Sequence, residues 1–207
     1  MIKNIIFDMG EVLIRWAPEV IVARCGVSPE DAEKLRVEVF SCFEWVSMDH
    51  GIMTQQEGYE RICRRLPPHL HAAAYHCVFE WWRDPLDPVP GMEDLVQEVK
   101  SLGYGVYLLS NATSTLHQYF HRIPGSEYFD GLVVSEDEKL LKPQHEIYEL
   151  LLDRFQLKAE ECFFIDDSPP NIDGAYTVGI SGTVFLRDMR RLRSELIAAG
   201  VPVRAVP

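Results

Sequence analysis

What the 207-residue chain lacks narrows its class before any motif is read. No stretch approaches the ~18 consecutive apolar residues that mark a membrane-spanning helix. The apolar run Ile5-Ile6-Phe7 is broken at once by Asp8 and Glu11, with no small-residue cleavage site after it, so no targeting segment is legible. Basic residues are in the minority. Twenty Lys and Arg against 32 Asp and Glu leave a formal net charge of -12. Such a surface repels nucleic acid and anionic membranes, which removes both from the expected partners. It also repels phosphate, so any anion site must be built from local donors. Paired cysteines are missing too: Cys25, Cys42, Cys63, Cys77 and Cys162 are odd in number and show no C-x-x-C spacing. Free thiols in a reducing compartment follow. There is no internal repeat and no low-complexity tract. The expectation is a soluble, cytoplasmic protein, monomer or homodimer.

What is present is an ordinary globular composition, 47% hydrophobic and 25% charged. The length allows one sizeable domain, or a core carrying a smaller insert. Residues 2–7 (IKNIIF) read as a buried β-branched strand running into the turn Asp8-Met9-Gly10. From about 15 to 87 the periodicity is helical. Ser28-Pro29-Glu30-Asp31 is a helix start with Pro at the first position, and Thr54-Gln55-Gln56-Glu57 is a capping box. The segment 84–91 (DPLDPVPG) then breaks all periodicity and reads as a linker.

Beyond it, helices near 92–102, 113–121, 144–155, 169–178 and 188–199 alternate with strands near 105–109, 131–135, 162–165 and 181–185. That alternation predicts an α/β fold, a Rossmann-like parallel sheet with helices on both faces. The first strand lies some 70 helical residues from its sheet. An inserted α-helical domain over 15–87, within a core of 1–14 and 88–207, explains this, because two sequential domains would leave a lone N-terminal strand.

Ligands of open parallel sheets bind at the carboxyl ends of the strands. The residues expected there are Asp8, Ser110-Asn111, Ser135 and Asp166-Asp167, with Lys142 in Leu140-Leu141-Lys142-Pro143 just before a helix. Singly, each has a bland reading: strand-end Asp and Ser-Asn cap helices, and a lysine before proline is usually solvated. Together, three carboxylates, a lysine, a hydroxyl and an amide on one rim make sense with a cation and a phosphate. Mg²⁺ takes one or two carboxylates plus substrate phosphate and water, which suits Asp8 and Asp166, with Asp167 a further ligand. Asp8 can attack phosphorus to form an aspartyl-phosphate. Ser110 and Asn111, with backbone N–H groups at the start of the next helix, suit phosphate oxygens. Lys142 supplies a point charge.

Four ordered motifs resemble the haloacid dehalogenase superfamily: Ile6-Phe7-Asp8-Met9-Gly10-Glu11-Val12-Leu13, Leu108-Leu109-Ser110-Asn111-Ala112, Lys142-Pro143 with Ile147-Tyr148, and Phe164-Ile165-Asp166-Asp167-Ser168-Pro169-Pro170-Asn171-Ile172-Asp173-Gly174-Ala175. The resemblance spans nearly the whole chain, and 15–87 falls where many small-metabolite members carry a helical cap. It implies a Mg²⁺-dependent phosphatase with Asp8 as nucleophile, Lys142 catalytic and phosphate-binding, and Asp8, the Gly10 carbonyl, Asp166 and Asp167 at the metal. The Asp-x-Gly first motif is shared with the branch containing α-glucose-1-phosphate phosphatase.

Two positions depart from the pattern. Most phosphatases of the superfamily carry an acid–base Asp where this chain has Gly10, and general acid–base help is worth ~10²–10⁴-fold. Glu11, water, or a residue of the insert such as His50 or Asp49 could take that role. A good leaving group is then expected, which favours a sugar 1-phosphate among small phosphorylated metabolites. Lys139 stands where relatives often have glycine, which could alter that loop. A 2-haloacid dehalogenase is disfavoured by Asp166-Asp167, costly beside Asp8 without a cation. A phosphomutase would need the missing proton shuttle, and a catalytically inactive binding module has no use for Asp8, Lys142 and both aspartates. Arg15-Trp16 reads as a hinge packed on Trp81 or Trp82, and His117, His121 and His145 as helix-surface residues.

Overall fold

A computed structural model describes residues 1–205. Its centre is a five-stranded parallel sheet in the order β3-β2-β1-β4-β5, with β1 Asn4–Phe7, β2 Gly105–Ser110, β3 Gly131–Val134, β4 Cys162–Asp166 and β5 Ser181–Val184. Side chains of successive strand residues point to opposite faces. Ile5 and Phe7 therefore enter one core, with Leu95, Val96, Leu192 and Leu196. Ile6, Leu109 and Phe164 enter the other, with Ile147, Tyr148, Leu151 and Ile172. Burial on both faces is why these strands are nearly continuous apolar runs.

Between β1 and β2 lies the helical segment, with α1 Pro18–Ala23, α2 Pro29–Leu35, α3 Phe43–Asp49, α4 Gln55–Cys63 and α5 His71–Tyr75. It buries a separate cluster that includes Leu35, Val39, Met48, Ile62, Leu70 and Cys77. Its helix starts are those the sequence marks. Ser28 Oγ accepts the Asp31 N–H, and Thr54 and Glu57 form a reciprocal capping box. The chain leaves and returns side by side: Arg15 N–H donates to Asp87 O at 2.7 Å and Val89 N–H to Leu13 O at 3.0 Å.

The remaining helices are α6 Met92–Ser101, α7 Leu116–Tyr119, α8 Ser135–Glu138, α9 His145–Phe155, α10 Pro169–Thr177 and α11 Met189–Ala198. Three expectations shift. The helix expected at 113–121 begins only at Leu116 and gives way to a 3₁₀ turn at Phe120–Arg122. The cause is local, since Glu136 takes both the N–H and the hydroxyl of Ser114, holding the preceding turn out of the helix. Ser110 and Asp166 close their strands rather than follow them, and Ser135 opens α8, a short helix that the sequence reading missed. Lys139 caps α8 at φ 54°, in the left-handed region that glycine favours, so the lysine takes up a glycine-like turn. Among the described residues, no helix is long and apolar enough to cross a membrane.

Helix α10 sits tightly on the loop that carries Lys142. A Cβ added at Gly174 would lie 2.6 Å from the carbonyl oxygen of Pro143 and 2.9 Å from its Cβ. Gly174→Ala is therefore expected to cost about 1–3 kcal/mol through overpacking, read as a lower urea midpoint at unchanged slope. A wild-type midpoint would show that the loop yields freely.

Candidate active site

Strand register builds the site. Phe7 of the central strand pairs with Leu108 on one side and Ile165 on the other, so one residue further Asp8 is level with Leu109 and Asp166. Alternation puts Asp8 and Asp166 on the same face as Ile6 and Phe164, the face covered by α9 and α10. Lys142 arrives from the loop before α9 on that side. Its Nζ donates to Asp8 Oδ1 at 2.7 Å, Asp166 Oδ2 at 2.6 Å and the Leu109 carbonyl at 2.9 Å. All three ammonium protons are thus engaged, so it would act on a phosphate through its charge. Asp166 is fully buried, Lys142 4% exposed and Asp8 8% exposed.

Two clamps hold this triangle. Asn111 donates its side-chain amide to Lys142 O at 3.0 Å and accepts Lys142 N–H at 2.9 Å, fixing the loop by its backbone. The side-chain amide expected to meet phosphate is therefore engaged with the lysine loop. Asn171, in the first turn of α10, donates to both oxygens of Asp166 at 3.0 and 3.1 Å, and Ser168 N–H donates to Asp166 Oδ1 at 2.8 Å. Asn171 stands in the fourth motif but was given no role in the sequence reading. Its place in the first helical turn after a strand-end Asp was the available signal.

Electrostatics define what the centre can bind. Burial pushes the Asp8 carboxyl up to about 7, with Asp166 adding to the rise and Lys142 opposing it. Burial and Asp166 likewise raise Asp167. Burial works against the charge of Lys142, yet Asp8 and Asp166 together hold its pKa above the usual lysine value. One ammonium faces three carboxylates. Asp8, Asp166 and Asp167 each offer an oxygen within 4.8 Å of the others, the one such metal-competent group among the described residues. Their hard oxygens and excess negative charge fit Mg²⁺. A Cβ added at Gly10 would meet only the Trp16 Cβ, at 3.7 Å, so crowding does not impose glycine there.

Ser110 and Asn111 line the same cavity as Asp8, Gly10, Lys142 and Asp167, a space of about 200 Å³. Two of the N–H groups expected beside them are otherwise engaged: Ala112 N–H donates to Ser135 Oγ at 2.9 Å and Ser114 N–H to Glu136. Ser135 ties the end of β2 to the helical segment, because its hydroxyl accepts the Ala112 N–H and donates to Asp49 O at 2.6 Å. Glu11, considered for acid–base work, has both oxygens committed, one to Trp16 N–H at 2.7 Å and one to Arg187. Trp16 packs on Trp81 with ring centroids 4.7 Å apart and also faces the cavity, while Arg15 pairs outward with Asp87. His117 pairs with Asp137 and His145 with Glu146, away from the acidic group.

Fold and site together define a parallel α/β protein with an acidic, metal-competent centre at the carboxyl edge of its sheet. The chain belongs to the haloacid dehalogenase-like hydrolases, whose family model matches residues 2–179. It is 28% identical to the sesquiterpene phosphatase astK of Aspergillus oryzae over 87% of this chain and 88% of that protein. A HAD family enzyme from Bacteroides thetaiotaomicron, solved with magnesium and inorganic phosphate, shares the fold at TM-score 0.69 and 23% identity, covering 93% of this chain and 99% of that one. L-2-haloacid dehalogenase from Xanthobacter autotrophicus, with chloropropionic acid covalently bound, also superposes at TM-score 0.69, with 18% identity over 98% of this chain and 85% of that one.

A raised Asp8 pKa means that the folded state favours the protonated carboxyl. That stability is present below about pH 4 and lost as pH rises through about 7. At pH 8 in EDTA, Asp8→Asn is expected to melt above wild type, at about 2–4 °C for each kcal/mol relieved. Adding Mg²⁺ should raise the wild-type melting temperature more than the variant's. An Asp8→Asn protein that melts lower in EDTA would contradict this charge balance.

Proposed function

We propose that this chain is a Mg²⁺-dependent phosphatase that hydrolyses a small phosphorylated metabolite through an aspartyl-phosphate on Asp8. The observation that carries the reading is the buried triangle of Asp8, Lys142 and Asp166 with Asp167 beside it. Lys142, held in turn by Asn111, orients Asp8 at the cavity floor, and Ser110, which lines the same cavity, would meet a phosphate oxygen. Asp8, the Gly10 carbonyl, Asp166 and Asp167 would hold the ion. When bound, Mg²⁺ supplies charge neutralisation for the transferring phosphoryl group. Residues 15–87 act as a cap over a core of 1–14 and 88–207, keeping bulk water from the acyl phosphate. The magnesium and phosphate named with the Bacteroides enzyme, and the phosphatase activity named for the Aspergillus relative, support this reading.

Cavity chemistry bears on the substrate. The polar floor faces a wall of Trp16, Trp45, Met48, Val78, Trp81 and Tyr119. Gln55, which also lines it, donates to Val78 O and accepts from Thr115 Oγ1, so its amide is already engaged. Sugar hydroxyls need hydrogen-bonding partners that such a wall supplies poorly, whereas an apolar alcohol gains by burial. The phosphate of an apolar alcohol, of the kind named for the sesquiterpene phosphatase, therefore fits the wall better than the sugar phosphate favoured on leaving-group grounds.

The test is phosphate release from isoprenyl phosphates, glucose 1-phosphate and p-nitrophenyl phosphate, with Mg²⁺ and with EDTA. Release is expected to need the metal and to vanish in Asp8→Asn. Isoprenyl phosphates should lead the sugar phosphate in kcat/KM by roughly 10–200-fold, the discrimination available to an apolar pocket. A preference for glucose 1-phosphate would return the assignment to sugar phosphates. Release that persists in EDTA or in Asp8→Asn would overturn the mechanism.

A further inference from the structure

The chain has no carboxylate at Gly10, and Glu11 is tied to Trp16 and Arg187, so the proton that a leaving alkoxide requires must come from elsewhere. His50 does not line the cavity; Asp49 does, as the one carboxylate among its lining residues that comes from the helical segment. It ends α3, and its backbone oxygen accepts the Ser135 hydroxyl at 2.6 Å, where α8 begins directly after β3. The turn behind it is wedged against the same helix: a Cβ added at Gly51 would lie 2.5 Å from Glu136 O. Asp49 is thus anchored to the strand-end rim that carries Asp8 and borders the same cavity. In-line displacement places the departing oxygen on the side away from the nucleophile.

We propose that Asp49 is the general acid that protonates the leaving oxygen and then the general base that activates water. The inference rests on the phosphatase reading above. In the first step an Asp8 oxygen bonds to phosphorus, and the ester P–O bond breaks with its electron pair going to the alcohol oxygen. That oxygen takes the Asp49 proton. In the second step Asp49, now a carboxylate, takes a proton from the water whose oxygen bonds to phosphorus. The P–O bond to Asp8 breaks, which restores the Asp8 carboxylate, releases phosphate and leaves Asp49 protonated. Its surroundings suit the starting state. Burial and the nearby charge of Glu136 raise the Asp49 carboxyl well above its usual value, against a hydrogen bond from Trp45, and the phenol of Tyr119 also lies near it. A carboxyl so placed is biased toward its protonated form, the state from which it can donate to a leaving oxygen.

The experiment compares wild type with Asp49→Asn in the full chain with Mg²⁺, measuring the pre-steady-state burst of alcohol. Two substrates are used, p-nitrophenyl phosphate and a phosphate of an unactivated primary alcohol. p-Nitrophenolate leaves without a proton, so Asp49→Asn should keep a wild-type-like p-nitrophenol burst, followed by slow turnover from the unassisted second step. With the alkyl phosphate its burst rate should fall by about 10²–10⁴-fold. Equal loss on both substrates would make Asp49 structural and overturn the inference while leaving the phosphatase standing. An unchanged alkyl burst would overturn it as well. A wild type that releases neither alcohol above the Asp8→Asn background would instead overturn the phosphatase reading, and the inference with it.

Discussion

Everything at the rim depends on one buried ammonium shared by two carboxylates. Lys142 lies within 2.7 Å of Asp8 and 2.6 Å of Asp166, on a sheet edge from which water is largely excluded. A buried ion pair is weak evidence of stability, since desolvation offsets much of the attraction. Here the balance is worse still, because Asp167 brings a third carboxylate within reach of the same point. The arrangement holds because the surroundings fix it: strand register sets Asp8 level with Asp166, Asn111 pins the lysine loop by its backbone, and Asn171 and Ser168 satisfy Asp166. The uncompensated negative charge is the property that a divalent cation would answer. Stability given up at such a centre is a common companion of function.

The same logic accounts for a phosphate site on a protein of net charge -12. Attraction cannot come from the whole surface, so it is concentrated at a floor where a cation, Lys142 and Ser110 can converge. Above it the helical segment contributes mostly apolar and aromatic side chains, with Asp49 as its one carboxylate facing the cavity. On the proposed function, floor and wall would divide the substrate into a charged end and a carbon end. The ties that join them include Ser135 to Asp49, Thr115 to Gln55, the packing of Trp81 on Tyr119, and the paired strands of chain at Arg15–Asp87 and Leu13–Val89.

Much of this was legible in the sequence because it depends on periodicity and on strand ends. The alternation after residue 91 gave the parallel sheet, and the apolar strands running into Asp8 and Asp166 marked its carboxyl edge. Ser28 and Thr54 announced their helices by local hydrogen bonding alone. The misses are cases where a distant residue decides. The turn before α7 is held by Glu136 from across the rim, and Asn111, while lining the cavity, gives its side chain to the Lys142 backbone. Neither is visible in local spacing. The engagement of Glu11 with Arg187, 176 residues away, is equally silent in the sequence. So is the aromatic wall, whose members are scattered from Trp16 to Tyr119.

The central claim is that Asp8 becomes covalently phosphorylated. The direct measurement is to quench the protein in acid during turnover with Mg²⁺ and phosphoryl-labelled p-nitrophenyl phosphate, test the label's stability to acid and base on one portion, and reduce a second portion with tritiated borohydride, which expels the phosphate, before sequencing the tritium-bearing peptides. Acyl-phosphate chemistry at Asp8 predicts an acid-stable, base-labile label, and tritiated homoserine at residue 8. Tritium on any other residue, or turnover with residue 8 recovered only as aspartate, would contradict it.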